Sequence, residues 1–248
     1  MLRLVLAVSL DGRLAPPAGG AAQLGGSGDR RALEEALAWA DGTLIGAETL
    51  RRHGSTCLIH HADLLALRHR RGLAPQPTAL VVSRSCQFSP QLPFWKQPLD
   101  RWLVTPKTGS LAVAALDGPP LAFRRRIPLQ SWPQVLAALA AAGLERVVLL
   151  GGAALAGSLL AADLVDELQL TLCPLLLGGP HCWLPADRGL PEPKMPEPEL
   201  PDAGLCDPVL PAPWLAGAGW QLLEQRPLVG DELLVRYGRR LPVKASVS

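Results

Sequence analysis

Four short stretches of this sequence set polar side chains or glycines at the ends of apolar runs: Ser9 with Asp11, Gly46 to Thr49, Ser83 with Arg84, and Gly151 to Ala154. The last is the most informative. Val147 to Leu150 is an apolar run, followed by Gly151, Gly152 and a small-residue run from Ala153 to Ala162. A glycine pair between a strand and a helix brings backbone close to a ligand and aims unpaired first-turn amides at it. That suits a phosphate. A turn that only packs helix on sheet needs the same glycines, so both readings stay open. With no Gly-Lys-Ser/Thr following, the stretch is not a Walker loop. With glycines at 151, 152 and 157 it is not the dinucleotide G-x-G-x-x-G either.

Each stretch needs a strand to hold it. Leu2 to Val8 reads as a first, central strand that ends in Ser9-Leu-Asp-Gly-Arg13, where Asp-Gly signals a turn. A capping aspartate in a tight turn is the plainer reading of those residues. Pro16 to Gly28 reads as a loop, and Ser27 as a cap for a helix whose apolar face carries Leu33, Ala36, Leu37 and Ala40 up to Asp41-Gly42. Further strands are expected at Thr43–Gly46, Thr78–Val82, Arg101–Val104, Leu121–Phe123 and Leu168–Leu172. Ala62 to Arg71 reads as a basic helix with Arg68, His69, Arg70 and Arg71 on a solvated face. Ser131-Trp-Pro-Gln134 opens a helix with a capping hydroxyl and a first-turn proline. Trp220–Gln225 and Glu232–Tyr237 read as a hairpin across Pro227–Asp231. The proline-dense segment 180–219 reads as an irregular insertion within a single domain spanning 1–248. Alternating strands and helices give an α/β fold, a mixed and mainly parallel sheet with helices on both faces. All four polar stretches then fall at strand C-terminal ends, where such sheets bind ligands.

Composition narrows the function. The chain has 248 residues, 48% hydrophobic and 19% charged, enough to bury a sizeable core. A net charge of +2 gives no general nucleic-acid surface, and no apolar run reaches membrane-spanning length. Asp11 interrupts the apolar start before a signal segment is complete. Five scattered cysteines favour reduced thiols in a cytoplasmic protein. His53, Cys57, His60 and His61 are ligand types, but their spacing matches no common zinc site, and no metal is expected.

The order of apolar strand, Gly-Gly, Leu155, Leu159, Leu-Val-Asp-Glu-Leu, second strand, Pro174 and Leu-Leu-Gly-Gly resembles the reductase domain of the riboflavin-biosynthesis family. So do Ser-Leu-Asp-Gly-Arg at the first strand end and Asp41-Gly-Thr-Leu-Ile-Gly-Ala-Glu-Thr-Leu-Arg51. The resemblance covers roughly 2–179 and 220–238. It implies a dihydrofolate-reductase-like fold with a C-terminal antiparallel hairpin. It also implies NADPH-dependent reduction of a 5-amino-6-(5-phosphoribosylamino)pyrimidine, taken as the uracil, to its ribityl form. The deaminase signature of bifunctional members is absent, and the opening motif leaves no room ahead of it for that domain.

On that resemblance Asp11 is the expected catalytic residue, and Ser9, Asp11, Ser27 and Arg51 the substrate contacts, Arg51 for a phosphate. Val8, Gly46, Thr49, Gly151, Gly152, Ala153, Ala154 and Leu155 are expected at the cofactor, with Ser83 and Arg84 at its 2′-phosphate. A homodimer is expected. Two departures touch the substrate half. Leu150 stands where many members have an acid before the glycine pair, and Arg51-Arg-His-Gly54 where many have Ala-Asp-Asp-Pro. A reductase of the same fold for another small molecule, or a nucleotide-binding protein without turnover, are the alternatives.

Overall fold

The computed structural model describes residues 1–20, 24–106, 123–184 and 219–240. The chain runs β1 (Leu2–Ser9), α1 (Ser27–Trp39), β2 (Gly42–Gly46), α2 (Ala47–His53), α3 (Ala62–Arg70), β3 (Thr78–Val82), a 3-10 turn (Pro93–Lys96), β4 (Arg101–Thr105) and β5 (Arg125–Pro128). It continues with α4 (Trp132–Ala141), β6 (Val147–Leu149), α5 (Ala153–Ala161), β7 (Glu167–Cys173), β8 (Trp220–Pro227) and β9 (Leu233–Arg239).

The strands form one nine-stranded sheet in the order β5-β4-β3-β2-β6-β1-β7-β9-β8. Strands β1 to β7 pair in parallel, and β9 joins β7 antiparallel with β8 on its far side. Strand β1 is buried on both faces, as a central parallel strand must be. Its Leu2, Leu4, Leu6 and Val8 pack with Val135 and Leu139 of α4 and Ala156 and Leu159 of α5. Val5, on the other face, packs with Ala36 of α1 and with Ala40, the residue that ends it.

The structure corrects several local readings. Ser27 does not cap α1; the N-cap is Gly26, and no side chain of its own segment serves it. The Glu232 carboxylate does so from the β8–β9 turn, accepting from Gly26 N at 2.5 Å and Asp29 N at 2.8 Å. Glu232 itself lies just before β9, so the hairpin's second strand starts at Leu233. Arg68 is not on a solvated face. It is 1% exposed and donates to the carbonyls of Leu37, Ala40 and Ala74 at 3.1, 2.6 and 2.7 Å. A guanidinium there closes the end of α1, where the Ala40 amide serves only Ala36 O and Leu37 O among the last carbonyls. Strand β6 stops at Leu149, so Leu150 belongs to the turn. Of the strand expected at Leu121–Phe123, residues 121 and 122 lie outside the described residues, and the strand after β4 is Arg125–Pro128. Most of the 180–219 insertion, residues 185–218, also lies outside them.

Candidate active site

At the end of β6 the backbone passes through two positive-φ glycines, Gly151 at +94° and Gly152 at +57°. A Cβ on Gly151 would stand 3.1 Å from Leu6 Cδ2, and one on Gly152 2.8 Å from Thr49 Oγ1. Both conformation and space therefore require glycine here. Gly152 is also the N-cap of α5, with no side-chain cap. Its carbonyl accepts from Leu155 N and Ala156 N, so the amides of Ala153 and Ala154 stand ahead of the first helical bonds, and Ala154 is exposed. Leu155 spends its own N–H inside the helix. Its side chain lies 3.9 Å from where a Gly46 Cβ would be. Thr49 sits in α2, which starts directly after β2, and reaches across to Gly152. Gly46, Thr49, Gly152 and Leu155 thus come together as one patch. Val8 has its side chain in the main core, leaving only backbone to offer a ligand.

The loop after β3 is built on Ser83. This buried hydroxyl accepts from Cys86 N at 3.0 Å, closing a turn in which Cys86 has φ +57°. The turn leaves Arg84 exposed, with no ion pair among the described residues. Arg51, expected at the substrate phosphate, lies along this same loop. Its Nη2 donates to Ser85 Oγ and Gln87 O, both at 3.0 Å, and its guanidinium lies over Phe88 at 5.6 Å from the ring centroid. The structure therefore groups Arg51 with Ser83 and Arg84, away from the β1 end. Ser27 is exposed at the first position of α1.

Asp11 is a clamp. Its carboxylate accepts from Ser9 Oγ at 2.5 Å, Leu177 N at 3.2 Å and Gly178 N at 2.7 Å, tying the β1 end to the loop after β7. The same loops also meet through Leu14 N to His181 O at 2.8 Å. The Ser9 hydroxyl first, and then the Gly178 and Leu177 amides, hold the Asp11 carboxyl down at about 2. At neutral pH it accepts hydrogen bonds and has no proton to give. A depressed carboxylate favours the folded loops above its unfolded value of about 4 and loses that contribution as pH falls through about 2. Ser9→Ala is expected to raise the Asp11 midpoint toward the ordinary range, followed by NMR of the carboxyl carbon. An unmoved midpoint would remove Ser9 as the main cause.

Leu150 packs against two buried clusters, one of Val5, Ala36, Ala40 and Val148 and one of Leu37, Ala38, Ile59 and Leu64. Leu150 is partly buried, so an ionised side chain there would give up part of its hydration against these apolar groups. Of the four ligand-type residues from His53 to His61, His61 is tied to Glu34, with Nδ1 at 2.6 Å. The main-chain amides of His60 and His61 also donate to the buried Glu34, which fixes the entry to α3.

Reading the sequence missed one group. Asp29, in the first turn of α1, lies beside Thr171, a buried residue of β7, and its amide donates to Glu232 at 2.8 Å. Burial first, and the Glu232 charge with it, push Asp29 above the usual carboxylate range against the opposing effect of the Thr171 hydroxyl. Burial and then the charges of Asp29 and Glu232 raise the Cys173 thiol to about 11. Nothing local in Gly-Asp-Arg-Arg-Ala announces this. The partners come from β7 and from the β8–β9 turn.

Comparison with known proteins places this arrangement. The model of the RibD C-terminal domain family matches residues 1–198. The 2,5-diamino-6-ribosylamino-4(3H)-pyrimidinone 5′-phosphate reductase of Archaeoglobus fulgidus is 23% identical over 187 residues, covering 70% of this chain and 80% of that protein. A pyrimidine reductase-like protein from Corynebacterium diphtheriae superposes with a TM-score of 0.64 at 19% identity, over 97% of this chain and 92% of that one. Dihydrofolate reductase from Enterococcus faecalis, solved with NADP(H), superposes with a TM-score of 0.50 at 15% identity, over 97% of each chain. The fold is dihydrofolate-reductase-like: a mainly parallel sheet, helices on both faces and an antiparallel hairpin at one edge.

Proposed function

The chain belongs to the RibD C-terminal domain family, and we propose that it is an NADPH-dependent reductase of a 5-amino-6-(5-phosphoribosylamino)pyrimidine, converting the ribosyl to a ribityl group. One observation carries this reading. The four polar stretches follow β3, β2, β6 and β1, which are consecutive neighbours in the sheet. At about 4.8 Å per strand they line a stretch of roughly 14 Å along the C-terminal edge, suited to an extended dinucleotide with a second reactant at one end.

The residues present fit the dinucleotide. The uncapped start of α5 offers the Ala153 and Ala154 amides to a pyrophosphate. Gly46, Thr49 and Gly152 keep that surface low. Arg84 is exposed and Arg51 is held along the same loop, a pairing suited to a 2′-phosphate. When bound, the reduced dinucleotide supplies the hydride for C1′ of the ring-opened sugar. The chain's own residues hold the two reactants in register and exclude water. Asp11, being ionised, acts by fixing the loop over the β1 end. We read the protein as cytoplasmic and homodimeric; the edge strand β8, with Leu222 and Leu223 each 45% exposed, supports a second copy, and sedimentation tests it.

The test of the reading is oxidation of NADPH by the purified chain in the presence of the phosphoribosylamino-pyrimidine, followed as loss of reduced-nicotinamide absorbance. Turnover is expected despite Leu150. Intact NADPH binding with no turnover would remove this substrate. Cofactor choice has its own test. Arg84→Ala removes a charge-assisted contact of about 1.5–3 kcal/mol, or one to two decades in affinity. The NADPH dissociation constant should rise by that order, with NADH little changed and the salt dependence reduced. If both cofactors bind as before, Arg51 becomes the discriminator to test.

A further inference from the structure

The loop after β3 has buried ends and an exposed middle. Ser83 and Cys86 are 3% and 4% exposed, while Arg84 and Ser85 between them lie open to solvent. Strand pairing fixes the Ser83 end, where the amide donates to Val104 O at 3.0 Å. The Cys86 end is fixed by its own side chain. Its thiol lies 3.2 Å from the hydroxyl of Thr105, the buried last residue of the neighbouring strand β4, and the side chain packs with Leu103 of that strand. Cys86 has φ +57°, a backbone that residues other than glycine adopt only when their surroundings hold them there. Ser83 Oγ holds the amide at 3.0 Å and Thr105 holds the thiol. Two cations depend on this one position. Arg84 is displayed two residues before it. Arg51 grips the loop on both sides of it, donating to Ser85 Oγ and to Gln87 O.

We infer that Cys86, held by Thr105, is a positioning residue for cofactor choice, setting Arg84 and Arg51 to receive the adenosine 2′-phosphate together. The inference rests on the reading of Arg84 and Arg51 as the ligands of that phosphate. Two guanidiniums on one loop repel each other until a dianion arrives, so a loop free to move would carry them apart. A loop already held gives its charge-assisted contacts with less ordering on binding. The thiol–hydroxyl link provides that hold from inside the protein, without touching the cofactor. NADH lacks the 2′-phosphate and gains nothing from it. Loss of the link therefore changes the ratio of two affinities rather than dinucleotide binding in general.

The experiment titrates the full chain with NADPH and with NADH by calorimetry. Cys86→Gly is the informative variant. Glycine adopts positive φ without strain, so the turn keeps its path and the thiol alone is lost. The NADPH dissociation constant should rise roughly three- to ten-fold, the value of one neutral hydrogen bond, with NADH unchanged. Thr105→Val removes the same link from the β4 side and should act alike, and the double variant should be no weaker than either single one. Cys86→Ser, which puts a hydroxyl in place of the thiol, should recover most of the loss. Equal losses for both cofactors would make Cys86 a residue of the fold alone. An unchanged ratio in Cys86→Gly would mean that the turn holds itself. Either result overturns the inference, while a loss of NADPH preference in Arg84→Ala would still uphold the 2′-phosphate site. A parent chain that binds both cofactors alike removes that site, and the inference with it. Because the link can be cut from either strand, poor folding of one variant does not shelter the inference from refutation.

Discussion

Gly152→Val is expected to abolish NADPH binding. The backbone there has φ +57° and ψ +130°, outside even the small left-handed region that other residues visit. A β-branched side chain is the worst fit, at a cost of about 1–3 kcal/mol in backbone strain alone. Its first carbon would also stand 2.8 Å from Thr49 Oγ1, so α2 or the start of α5 must move. Either movement turns the Ala153 and Ala154 amides away from a pyrophosphate. The variant should still fold, because the clash is at the sheet's edge and the α5 core contacts through Ala156 and Leu159 lie a turn further on. Isothermal titration with NADPH, alongside circular dichroism, separates the two effects. A folded variant that binds as the parent does would show that the glycine pair serves only the turn.

Arg68→Ala should cost the most stability of any single change considered. The guanidinium is 1% exposed and gives hydrogen bonds to carbonyls from three positions near the end of α1 and one beyond α3. Burial lowers its pKa to about 10, yet it stays charged at neutral pH. Removal takes a charged donor from those carbonyls, of which Leu37 O keeps the Ala40 amide, and opens a cavity, for a total of about 3–5 kcal/mol. In a chain of this length that lowers Tm by roughly 10 °C. Arg68→Met, which keeps much of the volume, should recover only part. A Tm within about 2 °C of the parent for Arg68→Ala would mean the carbonyls find water instead.

These two residues also show what the sequence could and could not say. Gly151 and Gly152 were legible because a short apolar run, two glycines and a small-residue helix are contiguous. The same held for β1, β3 and β7, whose apolar runs match their strands within a residue or two. Arg68 was not legible. Beside His69, Arg70 and Arg71 it looks like one more surface charge, and the carbonyls it meets lie about thirty residues earlier. The start of α1 is similar: Ser27 is the local candidate for a cap, and the group that does it is Glu232, which folding alone brings there. Strand β5 reads Arg-Arg-Ile-Pro and pairs on one side only, so it carries no apolar run to find. Within the candidate site, the strand-end stretches were readable because each piece follows its own strand. Asp29 was not, since its surroundings are assembled from three distant segments.

The place of β1 in the sheet has a consequence for the order of events during synthesis. It is the first strand made, and it lies between β6 and β7, with Leu2 opposite Val147 and Arg3 opposite Glu167. At about 5–20 residues per second, roughly 8–30 s separate the emergence of β1 from that of β7. Through that interval an apolar eight-residue segment has neither neighbour. Strands β2 to β5 pair with one another and can assemble without it. Closure of the sheet is therefore a late, long-range step, of the kind that makes folding slow and leaves a nascent chain dependent on chaperones. Placing Leu2–Ser9 after β9 by circular permutation would let it emerge after both neighbours, with β7 then waiting only across residues 174–239.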